Sequence, residues 1–305
     1  GNSSMQKIRT AIIGLGRIAH GYTQYPTHLS ALKKDKRFEL VAGCDTSARQ
    51  RRVFAKKAPQ GVAVYSDYRT MLAADAIELL VVAVPTDLHY KVCSFAIRSG
   101  IKNILCEKPI TRTLSEAGRL SKLAKRHRAT ILVNYHRSYS RDYQKLTRLI
   151  QKEKWGPAAS VSVQYNNGIF NTATHLIHLL EKMFGPVKRV MSVKSGVRRE
   201  NDPNVSFTAS AKGLNIFFEG VDGAGYRLLE VHMKFKKGRV VLSSDRSSEF
   251  KPINMNRAMA DVYENVYQVL KHNAKPRADL GSSVHALAVA EKAVESAKTG
   301  KLMSV

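Results

Sequence analysis

Short apolar runs alternate with longer amphipathic stretches through the first half of the chain. The runs fall at 7–13, 38–44, 61–65, 77–84, 102–106 and 129–134, each of strand length. Between them, 47–57, 68–73, 89–99 and 115–127 read as helices. This alternation predicts a parallel sheet with helices on both faces. Ile77-Glu78-Leu79-Leu80-Val81-Val82-Ala83-Val84 is apolar almost throughout, as expected of a central strand buried on both sides. After about residue 150 the period changes. Val161, Val163 and Tyr165 alternate with Ser160, Ser162 and Gln164, and Leu229, Val231, Met233 and Phe235 alternate with Glu230, His232 and Lys234. A period of two predicts half-buried strands of a mostly antiparallel sheet with one open face. A helix over 171–184 interrupts them and is halted by Gly185-Pro186. Two more, 256–272 and 282–299, close the chain, the second stopped by Gly300. The expected fold class is α/β: a doubly wound parallel sheet over 5–136, then an α/β domain over 137–305 with a large open sheet. The final helices, within 256–305, are candidates to pack back on the first domain.

Composition narrows the setting. The 305 residues are 44% hydrophobic and 24% charged, as in an ordinary globular protein. No stretch approaches the roughly 20 apolar residues that span a bilayer. Gly1 to Ser4 precede Met5 and read as a cloning remnant rather than a secretory signal. Cys44, Cys93 and Cys106 lie in or beside apolar segments without metal spacing, which suits buried thiols in a reducing compartment; the expected location is cytoplasmic. The net charge of +26 is unusual and would attract anions. Its carriers are dispersed over Lys33–Arg37, Arg49–Arg52, Lys122–Arg128 and Lys234–Arg239, with no basic tail. Dispersal disfavours nucleic acid. A phosphate-bearing small molecule and a merely solvated surface both remain open.

The first chemical signal is the turn after the first strand, Gly14-Leu15-Gly16-Arg17-Ile18-Ala19. Gly14 permits a tight turn, Gly16 has no Cβ to block a diphosphate, and Ala19 lets the following helix approach the sheet. Arg17 and Ile18, inside the turn, join the candidate cofactor contacts. The second strand ends at Asp45, where a carboxylate can accept from an adenosine ribose and would repel a 2′-phosphate. Asp45 therefore favours NAD over NADP, while Arg49, Arg51 and Arg52 keep NADP open. The same Asp45 also reads as a helix N-cap before Ser47.

The fifth strand ends in Cys106-Glu107-Lys108-Pro109. Pro109 biases Lys108 toward extended backbone, which sets its amine at the carboxyl edge of the sheet. A cation there can hydrogen-bond a substrate hydroxyl and favour the alkoxide that dehydrogenation generates. With the glycine turn, Ala83-Val84-Pro85-Thr86-Asp87-Leu88-His89, Glu107-Lys108-Pro109 and Glu295-Ser296-Ala297-Lys298-Thr299-Gly300-Lys301 in that order, the chain resembles the glucose–fructose oxidoreductase / inositol dehydrogenase (Gfo/Idh/MocA) family. The resemblance runs from Lys7 to Val305.

That resemblance implies a Rossmann domain followed by an α/β domain whose open sheet usually makes oligomer contacts. It also implies NAD(P)-dependent oxidation or reduction of sugars, cyclitols or nucleotide sugars, in a homodimer or homotetramer. Pro85, Thr86 and His89 then line the cofactor, as do Glu107 and Lys108. The family's second-domain motif, Asp-x-Gly-x-His-x-x-Asp, falls on Asn171-Thr172-Ala173-Thr174-His175-Leu176-Ile177-His178. His175 matches, whereas Asn171, Ala173 and His178 depart from it. An imidazole is well suited to take a hydroxyl proton near neutral pH. Lys108 and His175 are thus the expected catalytic pair, and Asn171, which cannot act as a base, would position a hydroxyl. Asn134, Arg137, Tyr165, Asn171 and His178 are the candidate substrate contacts. His175 and His178 share a helix face, but no nearby Cys or carboxylate completes a ligand set, so no metal is expected. The rival functional reading is a non-catalytic NAD(P)-binding sensor or scaffold, which the departures at Asn171 and His178 favour.

Overall fold

The computed structural model describes residues 6–22, 25–195, 201–243 and 255–305, with only the backbone at 194 and 195. Gly1 to Met5, including the Gly1 to Ser4 stretch read as a cloning remnant, lie outside the described residues. The chain divides into two compact units, 1–139 with 255–281, and 140–254 with 282–305.

The first unit alternates strand and helix as its apolar runs predict. β1 (Ile8–Ile13) leads into a π-helical turn, Arg17–Gly21, and then α1 (His28–Lys34). β2 (Phe38–Cys44), α2 (Ala48–Lys57), β3 (Ala63–Tyr65), α3 (Tyr68–Ala74), β4 (Leu79–Val82) and α4 (Thr86–Arg98) follow. β5 (Asn103–Cys106), α5 (Leu114–His127), β6 (Thr130–Val133) and the single turn α6 (His136–Tyr139) complete the run. The strands pair in the order β3-β2-β1-β4-β5-β6, with every ladder parallel. The order reverses between β1 and β4, which is where doubly wound sheets commonly open a crevice at the carboxyl ends of their strands. β4 is wholly buried, which is why its sequence shows no alternation. Starts of helices carry their own signals. Thr27 with Ser30 and Thr113 with Glu116 form reciprocal capping boxes, satisfying amides that no helical carbonyl reaches.

One element departs from the usual strand-turn-helix. The segment after the glycine turn makes only five π-helical residues before the chain leaves at Tyr22. Gly21 and Pro26 explain the break: one weakens helix, the other cannot donate and constrains its predecessor. Helix resumes at α1 behind the Thr27 cap.

The second unit begins with α7 (Arg141–Gln151) and β7 (Ala158–Tyr165), then a second π-helical turn, Ile169–Ala173, running into α8 (Thr174–Phe184). β8 (Arg189–Ser195), β9 (Val205–Ala211), β10 (Leu214–Gly220), β11 (Leu229–Phe235) and β12 (Gly238–Ser243) follow. α9 (Ala258–His272) returns to the first unit, whereas α10 (Leu280–Thr299) runs into the second and ends beside β13 (Met303–Ser304). The sheet order is β12-β11-β7-β10-β9-β8-β13. β7 and β10 pair in parallel, and the other described ladders are antiparallel. Val161, Val163 and Tyr165 of β7 and Leu229, Val231, Met233 and Phe235 of β11 are all buried, as their alternation requires. Phe207 and Phe218 stack at 4.5 Å on the covered face. α10 is bonded to that sheet: the Ser192 amide donates to Ser296 Oγ at 2.9 Å, and Ser192 Oγ donates to the Ala293 carbonyl at 2.6 Å. Met191, Val193 and Phe217 are exposed on the opposite side of their strands.

Candidate active site

The glycine turn shows two different uses of a missing side chain. Gly14 has φ of +92°, and a Cβ there would lie 2.5 Å from the Ala83 carbonyl. Its glycine is demanded by backbone conformation and by close passage of the loop after β4. Gly16 has nothing within 4 Å of where its Cβ would stand, which leaves the space that a diphosphate needs. Asp45 closes this corner. Its Oδ2 accepts from the Leu15 amide at 2.8 Å and its Oδ1 from the Ser47 amide at 2.8 Å. The carboxylate therefore ties the end of β2 to the turn. The capping role goes to Ser47, whose hydroxyl accepts from the Gln50 amide, so Asp45 is not the N-cap of α2. Arg51 folds back, donating from Nη1 to the carbonyls of Asp45 (2.8 Å) and Thr46 (2.9 Å). Arg17 is exposed with its guanidinium 5.4 Å from the Tyr22 ring centre, and Ile18 is half-buried.

After β4, Pro85 is exposed and Thr86 opens α4. His89 is buried, with Nδ1 2.9 Å from the Pro109 carbonyl and Nε2 2.9 Å from the Val84 carbonyl. Both ring nitrogens are engaged by backbone. The sequence reading of His89 as a cofactor contact is thereby corrected to a brace between the loops after β4 and β5.

Glu107 and Lys108 follow β5 directly, and the Lys108–Pro109 peptide is cis. Glu107 Oε1 accepts from His28 Nε2 at 2.8 Å and from Asn134 Nδ2 at 2.7 Å. His28 Nδ1 lies 2.9 Å from the Tyr263 hydroxyl. Burial alone would raise the Glu107 carboxyl, but the His28 and Asn134 donors and the Lys108 charge together hold it below the usual carboxylate range. Burial pushes the Tyr263 phenol well up, so it stays neutral. Asn134 is fully buried, and no donor among the described residues reaches its Oδ1. A buried acceptor left in that state fits a site completed by a bound group. Arg137 is buried on α6, its Nη1 3.5 Å from His136 Nε2.

In the second unit, His175 and His178 are both buried on α8, and His178 Nε2 meets Ser282 Oγ at 3.0 Å. Asn171 is exposed in the preceding π-helical turn, with its amide donating to the Asn167 carbonyl at 3.3 Å. The expected regular turn of helix from Asn171 to His175 is thus replaced by a wider one. Tyr165 is corrected as a substrate contact: its hydroxyl donates to the Val205 carbonyl (2.6 Å) and accepts from the Val205 amide (2.9 Å). Both hydrogen-bonding roles are spent on backbone, and burial raises the phenol far above its ordinary value.

Three residues carry the site without having been visible in the motifs. His28 and Tyr263 flank Glu107 from α1 and α9. Asp202 accepts from the Phe170 amide at 2.7 Å and the Asn171 amide at 3.1 Å, capping the turn that leads into α8. Each lies far along the chain from the group it serves, so no local spacing announces it. Among the described residues no group of His, Cys, Asp and Glu has the makings of a metal site, and no helix is long and apolar enough to cross a membrane.

A parallel six-stranded sheet with a glycine turn after its first strand defines the first unit as an α/β domain of Rossmann type. Residues 8–135 match the family described as the oxidoreductase family with an NAD-binding Rossmann fold. The motif resemblance to Gfo/Idh/MocA proteins holds over that unit. An uncharacterized oxidoreductase of Schizosaccharomyces pombe is 35% identical over 152 residues, 50% of this chain and 40% of the relative. The chain's matches span about half, or less, of the curated relatives: 40%, 43% and 53% of three of them. Solved structures share the fold over nearly the whole length. The WlbA dehydrogenase of Bordetella pertussis, in complex with NADH and UDP-GlcNAcA, superposes with a TM-score of 0.84 at 21% identity, covering 98% of this chain and 99% of that one. A putative myo-inositol dehydrogenase from Sinorhizobium meliloti 1021 gives 0.82 at 19%, covering 98% and 100%. At these identities the likeness is one of fold.

Proposed function

We propose that the chain is an NAD(P)-dependent oxidoreductase acting on a secondary alcohol, or the matching ketone, of a sugar, cyclitol or nucleotide sugar. The observation that carries the reading is the Glu107–Lys108 element, anchored by His28 and Asn134 at the carboxyl edge of a sheet whose glycine turn has an open cradle at Gly16. Gly14, Gly16, Asp45 and the start of α4 would hold the dinucleotide, and a bound nicotinamide supplies the hydride acceptor or donor. Asp45 at the end of β2 favours NAD. Lys108 donates a hydrogen bond to the substrate oxygen and stabilises its alkoxide character, and His175 takes or returns the hydroxyl proton. Asn134 Oδ1 accepts from a ligand group, while Asn171, Arg137 and His178 orient the substrate. The dispersed positive charge suits a phosphate-bearing substrate, as does the fold likeness to a dehydrogenase crystallised with UDP-GlcNAcA. Three free, buried cysteines fit a cytoplasmic setting. Exposed Met191, Val193 and Phe217 support the open sheet as the contact face of a homodimer or homotetramer.

The alternative is a sensor that binds NAD(P) without turnover, favoured by an exposed Asn171 and by a His178 tied to Ser282 where the family carries carboxylates. Absorbance at the nicotinamide band, followed across a panel of sugars, cyclitols and nucleotide sugars, separates the two. Substrate-dependent change is expected. Tight NADH binding with no change across the panel would select the sensor.

A further inference from the structure

We propose that Asp202-Pro203-Asn204 is a template for the turn that leads into α8, and that Asp202 is a positioning residue that sets Asn171 for the substrate. The inference rests on the reading of Asn171 as a substrate contact. The first amides of a helix have no helical carbonyl to donate to, and a single capping side chain commonly meets one of them. Here the consecutive amides of 168–171 are all met by residues 202–204. Gly168 donates to Asn204 Oδ1 at 2.8 Å and Ile169 to the Pro203 carbonyl at 3.0 Å. Phe170 donates to Asp202 Oδ1 at 2.7 Å and Asn171 to Asp202 Oδ2 at 3.1 Å.

The sequence supplies both sides of this pairing. After β7 the chain turns through Asn167 at φ of +65° and Gly168 at +94°, which brings the amides round to the template. A Cβ at Gly168 would overlap the Asp202 carboxylate, so the close approach requires glycine as much as the backbone angle does. Pro203 has a fixed φ and no amide of its own to satisfy. Asn204 uses its side chain in both directions, with Nδ2 donating to Asp222 Oδ1 at 2.8 Å and to the Val221 carbonyl at 3.2 Å, just beyond β10. Val205, the next residue, is bonded through both its amide and its carbonyl to the Tyr165 hydroxyl at the end of β7. The template is thus fastened to the sheet at β7, β9 and β10.

What it holds is not an ordinary helix start. Ala173 donates to the Gly168 carbonyl at 3.3 Å and Thr174 to that of Ile169, the bonding of a π-helical turn. Such turns are uncommon, and unusual backbone geometry persists where its surroundings over-determine it. The turn also decides which side chain reaches the surface. Ile169, Thr172 and Ala173 are buried and Phe170 is half-buried, whereas Asn171 is exposed. Asp202 takes the amide of Asn171 and that of the residue before it. The carboxylate therefore fixes the stretch of backbone from which the Asn171 side chain projects.

The test is a double-mutant cycle on the full chain, with the substrate that turns over in the absorbance panel. Asp202→Ala and Asn171→Ala should each raise KM about tenfold with kcat near wild type, and the double variant should be no worse than either single one. A folded Asp202→Ala chain with wild-type KM would overturn the proposal. So would effects that multiply in the double variant, because Asp202 would then not act through Asn171. Hydrogen–deuterium exchange is read alongside: Phe170 and Asn171 should exchange faster in Asp202→Ala, with β7 and β10 as in wild type. Unchanged exchange at those two amides would overturn the template without reference to any substrate. If the alanine variant does not fold, Asp202→Asn, which keeps the size of the side chain and one acceptor oxygen, decides on the same criteria. A panel in which nothing turns over would sink the oxidoreductase reading, and exchange alone would then decide on the template.

Discussion

Gly14 and Gly16 look alike in the sequence and differ in physical role. Gly14→Ala puts a methyl 2.5 Å from the Ala83 carbonyl at φ of +92°, so it should destabilise the fold by about 1–3 kcal/mol or more. Gly16→Val has ordinary backbone angles and free space, so its denaturation midpoint should stay near wild type while NADH affinity is lost. Denaturant titration and NADH fluorescence on both variants check the pair; loss of affinity without loss of stability at Gly14 would reverse the assignment. The motif could place both glycines but could not say which neighbours they meet. Asp45 shows the same limit. Its position at the end of β2 was legible, but the two amides already bonded to it were not. His89 and Tyr165 were misread for one reason: residue type and location suggest a contact, whereas backbone carbonyls from other segments have already taken their polar atoms.

Helices and strands were more legible than side-chain roles, because burial imposes a period on the sequence. Every strand of the first sheet lies within its apolar run. The two π-helical turns were not foreseen, since their residues carry ordinary helical spacing; distant bonds such as those from Asp202 hold the second. Pairing of α8 with α10 was equally invisible, and it carries a pH dependence. His285 Nδ1 lies 2.7 Å from Glu181 Oε1, and the carboxylate beside it raises the imidazole above its ordinary value of 6.5. A raised folded-state value means stability that is present below about pH 6.5 and is lost as pH climbs through the raised value. Burial of His20 acts with the opposite sign, giving stability above its ordinary 6.5 that fades as pH falls. His285→Gln should therefore lower Tm below about pH 6.5, where the contribution is present, and converge on the wild-type Tm as pH rises, which flattens the alkaline decline. An unchanged alkaline slope in differential scanning fluorimetry would remove the ion pair from the account.

The whole molecule follows from how these elements sort into two sheets. Strand–helix alternation made the first sheet readable, and a change of period marked where the second begins. What the pattern could not convey is the division of the last two helices, one joining each unit, or the parallel pairing of β7 with β10 inside a mostly antiparallel sheet. Both depend on contacts between segments separated by scores of residues. The proposed chemistry rests on Lys108 and His175. Lys108 belongs to the strand-edge loop of the first unit, and His175 to a buried helix of the second. Stopped-flow measurement of hydride transfer at saturating NAD(P)H, with the substrate found in the absorbance panel, tests that claim most directly. Lys108→Ala and His175→Ala should each slow the transfer by about 100-fold or more, with the Kd for NADH within about threefold of wild type. Wild-type transfer rates in both variants would contradict it.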